Sequence, residues 1–263
     1  VKTPLLLLGL LLALHEPALA VESVPKPRLR PPENAAGTAA VMVPLPKPRP
    51  PKDDAPSPAP TPDVRSWGED EVKAARLACG RLLDGLDMSA APLDPIGAPG
   101  GCGAPAPVLV SSVAGIALTP PATLTCDMAA ALHGWVTDTL KPAARDRLRT
   151  EVTAINTATS YACRRRNNSA SGKMSEHSRA NALDMAGFAF AGDKQGVSVG
   201  GGKWGEGMLA ALGVSREGSF LETVRKGACT HFTTVLGPGS DPYHGDHFHV
   251  DVLRRKGDYR ICQ

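Results

Sequence analysis

The chain is poor in aromatic residues, with three Trp, three Tyr and five Phe among 263. It also lacks a surplus of one charge. Twenty-nine Lys and Arg face 26 Asp and Glu, a formal +3, which gives no strong electrostatic footprint for nucleic acid. No Cys-x-x-Cys occurs among the six cysteines, which argues against a cysteine-built zinc site or a thioredoxin-like motif. The glycine-rich stretch from Gly192 to Gly207 lacks the Gly-Lys-Ser/Thr ending of a phosphate loop, so it reads as a hairpin or a flexible rim. Long apolar runs are missing too. After Leu5–Leu14, nothing approaches the about 20 apolar residues that a spanning helix needs.

Leu5–Leu14 itself lies between Lys2 and the small-residue site Ala18-Leu19-Ala20. This is the pattern of a secretory signal peptide over residues 1–20, cleaved before Val21. A membrane anchor is the alternative, and the shortness of the run argues against it. No cysteine stands just after the site, which argues against a lipoprotein. The expectation is an exported protein, periplasmic or extracellular, with no stable membrane span after cleavage. In that setting an even cysteine count implies disulfides, although six cysteines allow about 15 pairings. Joining neighbours in sequence gives Cys79–Cys102, Cys126–Cys163 and Cys229–Cys262. Residues 21–62 read as a disordered Pro-rich linker. From 25 to 62 there are 13 prolines, no aromatics, and six Lys or Arg against three Asp or Glu. Such a composition cannot bury enough apolar surface to offset its ordering entropy.

Residues 63–263 carry the patterning of a folded domain. Between Glu69 and Leu86, apolar residues at Val72, Ala75, Leu77, Ala78, Leu82 and Leu83 follow a helical rhythm. Residues 92–107, rich in Pro and Gly, read as a loop holding Cys102, and Val108–Leu118 as one strand or two. Thr125 is placed to cap a helix over Met128–Leu140 that Pro142 ends or kinks, with Met128, Leu132 and Trp135 turned inward. Val152–Cys163, Leu183–Phe190, Phe232–Leu236 and His247–Leu253 read as strands, and Phe220–Ala228 as a helix. The expected fold class is α+β, a small, mainly antiparallel sheet with flanking helices.

Three of the seven histidines fall in His244-Gly245-Asp246-His247-Phe248-His249-Val250-Asp251. In a strand, His247, His249 and Asp251 share one face and Phe248 and Val250 the other, an arrangement that can aim imidazoles at a metal ion. A polar strand edge or a histidine-rich loop is the plainer alternative. His177 and Asp184 form a second cluster, seven residues apart. A continuous helix would hold them about 10 Å apart along its axis, and a continuous strand would put them on opposite faces. If both hold one ion, the chain must bend through Ser178–Asn181. His231 and His244 read as surface residues.

His-x6-Asp followed by a distant His-x-His resembles the zinc peptidase superfamily of lysostaphin-type enzymes, D-alanyl-D-alanine peptidases and the hedgehog signalling domain. The chain is more closely similar to the bacterial extensin-like C-terminal domain family. That resemblance rests on Ser160-Tyr161-Ala162-Cys163-Arg164, Ser175-Glu176-His177, Asn181-Ala182-Leu183-Asp184, Thr234-Val235-Leu236-Gly237-Pro238-Gly239 and His247-Phe248-His249-Val250-Asp251. It covers the chain from about Asp63 to the end. It departs from many of the peptidases at Ala180, where they carry glycine.

The resemblance implies a Zn2+ ion held by His177, Asp184 and His249, the three protein ligands that a catalytic zinc ordinarily has. It places Asp246 as the carboxylate that handles the proton of the attacking water, and Arg164 beside the site for a substrate carboxylate or an oxyanion. Arg165 and Arg166 read as a solvated basic run. His247 can donate to the developing oxyanion, and Asp251 can orient a ligating histidine. The implied activity is that of a peptidase or amidase acting on peptidoglycan peptides. Two alternatives stay open: a zinc-containing module that binds wall polymer without catalysis, and a structural envelope module with incidental histidines.

Overall fold

The computed structural model describes residues 66–98, 100–192, 196–200 and 215–263. The signal-peptide and linker readings, and much of the Gly192–Gly207 connection, lie outside the described residues.

The first helix, α1, spans Glu69–Leu83, with three acidic residues in its first turn and Arg81 in its last, as the helix dipole favours. A meander of β1 (Met88–Pro92), β4 (Val108–Val113) and β5 (Ile116–Leu124) follows. Between β1 and β4, the Pro- and Gly-rich stretch expected as a loop forms a two-stranded ribbon, β2 (Ile96–Ala98) with β3 (Cys102–Ala104). Helix α2 (Cys126–Trp135) starts at Thr125, whose side chain accepts from the Met128 N–H. Pro142 does not end this helical run. Wide π-type turns at Val136–Leu140 and Ala144–Leu148 flank a single α-turn, Lys141–Ala143, and carry the helical backbone past the ring.

The later strands are β6 (Val152–Thr159), β7 (Ala182–Phe190), β8 (Val197–Ser198), β9 (Thr234–Leu236), β10 (Phe248–Asp251) and β11 (Ile261–Cys262), with helix α3 (Arg216–His231) before β9. The fold is α+β, but the sheet is not small. Among the described residues it has nine strands, in the order β1-β4-β5-β6-β7-β10-β9-β11, with β8 on β7. It is mixed: β5–β6 and β9–β11 run parallel and the other pairs antiparallel.

All five phenylalanines are buried, together with Trp135. Phe188 meets Phe220 edge-on at 5.4 Å, and Trp135 lies 6.3 Å from both Phe188 and Phe232. The Trp135 indole N–H donates to the Val224 carbonyl at 3.0 Å, so the largest side chain of α2 is also hydrogen-bonded to α3. The five phenylalanines and Trp135 thus sit where burial contributes most, roughly 1.5–3 kcal/mol per buried Phe-sized side chain.

One irregularity in β7 decides what faces the site. Asn156 of β6 pairs with Gly187 and Thr157 with Met185, so Ala186 is left over as a bulge. The bulge resets the alternation. Leu183 and Met185 before it and Phe188 and Phe190 after it all enter the core, while Asp184 and Ala186 open onto the other face. On β10, Phe248 and Val250 point into the core, and His249 and Asp251 line the same open groove.

The cysteines form three bridges, two of which differ from the sequence-neighbour pairing. Cys79 joins Cys126, Cys102 joins Cys163, and Cys229 joins Cys262, at Cα separations of 5.3, 5.6 and 6.0 Å. Sequence order fails for the first four because α1 packs beside the first residue of α2, which carries Cys79 past the ribbon to Cys126. The ribbon in turn delivers Cys102 to the segment after β6.

Candidate metal centre

His177 stands on one 3-10 turn, Glu176–Arg179. The turn ends at Ala180 in the left-handed region, φ 56 and ψ 23, which costs a non-glycine residue about 1–2 kcal/mol. This is the bend that lets His177 fold back onto Asp184. The turn is held from inside by Glu176, a buried carboxylate that accepts from Arg179 Nη1 at 3.1 Å and Asn181 Nδ2 at 3.2 Å. It is held from outside by the cap of α2: Thr125 N–H donates to the Ala180 carbonyl at 2.8 Å, and Thr125 Oγ1 donates to Asn181 Oδ1 at 2.8 Å. The Cys79–Cys126 bridge ties this unit to α1.

Asp184 and His249 are direct cross-strand partners on β7 and β10. The three expected ligands converge: His177 Nε2 is 3.1 Å from Asp184 Oδ1 and 3.1 Å from His249 Nδ1, and His249 Nδ1 is 2.8 Å from Asp184 Oδ1. All three residues are buried. The atoms form a near-equilateral triangle, close to one face of a zinc tetrahedron, whose edges are about 3.4 Å for bonds of about 2.1 Å. Each of the three side chains is also oriented from behind. His177 Nδ1–H donates to the Ser160 carbonyl at 2.6 Å, His249 Nε2–H faces Asp251 Oδ2 at 3.3 Å, and Asp184 Oδ2 lies 3.9 Å from Arg164 Nη2. These contacts fix the tautomers that leave His177 Nε2 and His249 Nδ1 pointing at one another's space. The residues present fit a divalent metal ion.

The electrostatics agree. Burial works to raise the Asp184 carboxyl, but hydrogen bonds and charge from His177 and His249 outweigh it and hold the group well below the ordinary carboxylate range. Burial works to lower His249, but hydrogen bonds to Asp184 and Asp251 outweigh it and push the imidazole up to about 9. Without a cation between them, the two acids keep a proton on this ring.

The trio lies in a groove of about 720 Å³, also lined by Arg164, Asp246, His247 and Asp251. Every residue singled out from sequence for the site therefore opens onto one space. Asp246 precedes β10 and its side chain is 84% exposed, with Oδ1 accepting from His247 Nδ1–H at 2.7 Å. The His247 Nε2 end is 3.7 Å from Asp184 Oδ1. Gly200 packs against this corner: a Cβ there would stand 2.7 Å from Asp246 Cβ, so glycine permits the close approach.

Two features were not read from sequence. His244 is no surface residue. Its side chain is 12% exposed, its Nδ1–H donates to Asp241 Oδ1 at 2.7 Å, and its ring lies 5.2 Å from His247 and 5.6 Å from His249. Burial lowers its pKa against the pull of Asp241. The i, i+3 spacing of Asp241 and His244 was the available signal. His231, also expected at the surface, packs against Gly134 and lies 3.6 Å from Asp138. The second feature is the buried Glu176 hub, which carries no charge partner within its own motif except Arg179.

No curated protein and no solved structure matches the chain. The family model described as extensin-like protein C-terminus matches residues 77–263, a span holding every strand of the described residues but no part of the chain before α1. The chain belongs to the extensin-like protein C-terminus family.

Proposed function

We propose that the domain is a zinc-dependent peptidase or amidase, placed with the lysostaphin-type, D-alanyl-D-alanine and hedgehog-like zinc peptidases, and that it acts on peptidoglycan peptides outside the cytoplasm. The observation that carries this reading is the triangle of His177 Nε2, Asp184 Oδ1 and His249 Nδ1 at the base of an open groove. Those atoms would hold the ion, with Asp251 and the Ser160 carbonyl fixing the two imidazoles. A zinc ion bound there supplies Lewis acidity, which lowers the pKa of a water molecule and polarises a carbonyl.

The chain's own residues do the rest. Asp246 accepts a proton from the attacking water and returns it to the leaving amine, and its hydrogen bond to His247 sets its direction. His247, in the form that carries a proton on both ring nitrogens, keeps Nδ1–H on Asp246 and donates from Nε2, which points toward the trio, to the oxygen on which negative charge grows. Arg164 keeps the second oxygen of Asp184 in place and lends positive charge to the same wall of the groove. Metal analysis of the purified protein, followed by mass analysis of wall peptides incubated with it, tests the reading.

A further inference from the structure

The groove has an arginine toward each side of the trio, and the two differ in how their charge is met. Arg164 faces Asp184. Arg255 lines the part of the groove walled by Thr234 of β9 and Ile261 of β11, and among the described residues no carboxylate lies within ion-pair distance of it. It is nevertheless held in place. Nη1 donates to the Thr233 carbonyl at 2.8 Å, Nη2 donates to Thr234 Oγ1, and the guanidinium carbon sits 5.5 Å from the centroid of the Tyr259 ring. These bonds use two of the five N–H donors and leave three, Nε–H among them. Arg166 also lines the groove, but its side chain is exposed and makes no hydrogen bond among the described residues. A positioned, partly buried guanidinium that faces a groove without an acid partner is built for an anion, and its planar fork matches a carboxylate.

The place of Arg255 relative to the trio sets the length of the ligand. Thr234 is the cross-strand partner of Asp251, two residues along β10 from His249. One strand across and two residues along is roughly 8 Å, about two residues of an extended peptide. Thr234 also hydrogen-bonds Asp251, which faces His249 Nε2 at 3.3 Å. The group that anchors Arg255 is thus the one that steadies the orienting partner of a trio histidine.

We propose that Arg255 is the anchor for a free carboxylate of a peptide ligand, placed about two residues from the bond that lies at the trio. The spacing rests on the hydrolase reading above; the carboxylate site does not, because its parts lie outside the trio.

The test is an NMR titration of the full chain, zinc-loaded and chelator-treated, with acetyl-alanyl-alanine as the free acid, the same dipeptide as its amide, and inorganic phosphate. The acid should bind the wild type about tenfold or more tighter than the amide, the scale of charge-assisted hydrogen bonds. The preference should survive metal removal, vanish in Arg255→Gln and weaken in Arg255→Lys, whose charge remains without the fork. Phosphate should compete poorly. Equal binding of acid and amide by the wild type, including binding of neither, overturns the proposal and needs no variant to fold. A preference that persists in a folded Arg255→Gln but disappears in Arg164→Ala overturns it as well, and phosphate competing as well as the acid would make this a general anion site instead. Loss of wall-peptide cleavage with the acid preference intact would strike the hydrolase reading alone.

Discussion

His249 and Asp184 face each other across β10 and β7, with Nδ1 of the one 2.8 Å from Oδ1 of the other, and both are buried. Two strands fix this pair, whereas the third member, His177, comes from a turn that must be held by other means.

His177→Ala and His249→Ala should each lower zinc content sharply and abolish hydrolysis with it, because each removes one of the three proposed ligands. Asp246→Asn should behave differently. It keeps the shape of the side chain and lies outside the trio, so zinc should stay while turnover falls roughly 10²–10⁴-fold, the usual scale of general acid–base help. Metal analysis by mass spectrometry beside a wall-peptide assay separates the two classes. Full activity in Asp246→Asn would remove Asp246 from the role.

Gly200→Ala gives a steric version of the same test. The added Cβ would stand 2.7 Å from Asp246 Cβ, so Asp246 or the segment around Gly200 must shift. Zinc content should be unchanged and turnover reduced. Unaltered kinetics would mean that the position of Asp246 does not limit the reaction.

The pH behaviour of the metal-free protein follows from His249. Its folded pKa is raised from 6.5 to about 9. A raised folded pKa means that the imidazolium contributes stability fully below its unfolded value near 6.5 and loses it as pH climbs through about 9. Asp184 has the opposite sign: its pKa is lowered, so its contribution holds above the ordinary value of 3.8 and is lost as pH falls below it. Metal-free protein should therefore melt at a lower temperature at pH 9.5 than at pH 6.5. Zinc binding near pH 7.5 should release about one proton, because metal and proton compete for His249 Nδ1. Calorimetry in buffers of different ionisation enthalpy measures this release. A zinc affinity that does not change with pH would contradict it.

Much of this centre was legible in the sequence, for physical reasons. The period-two alternation around His249 and the impossibility of bringing His177 to Asp184 without a bend both follow from backbone geometry, and the bend falls at Ala180. What was not legible depended on long-range packing. The bulge at Ala186 lets one strand send Leu183, Met185, Phe188 and Phe190 into the core while sparing Asp184 for the groove, and no local pattern announces it. The pairing of Cys79 with Cys126 and of Cys102 with Cys163 depends on where α1 and the β2–β3 ribbon lie. His244 reads as a surface histidine until Asp241 and the groove wall are seen around it.

The Cys102–Cys163 bridge gives a further prediction. It anchors the segment whose Ser160 carbonyl accepts from His177 Nδ1. Cys102→Ser with Cys163→Ser should cost roughly 2–4 kcal/mol of stability and weaken zinc binding through a looser His177. Removing Cys229–Cys262, which ties α3 to β11, should cost stability with less effect on zinc affinity. Urea denaturation and zinc competition on both double variants measure the contrast, and equal effects on zinc would contradict the anchoring role of Ser160.

The most direct test of the zinc hydrolase reading is mass analysis of peptidoglycan fragments after incubation with protein of known zinc content. One zinc per chain together with new peptide fragments, both lost on chelation and in His249→Ala, is the predicted result. One zinc per chain with no new fragment would contradict it, and would leave a metal-containing module that binds the wall without cutting it.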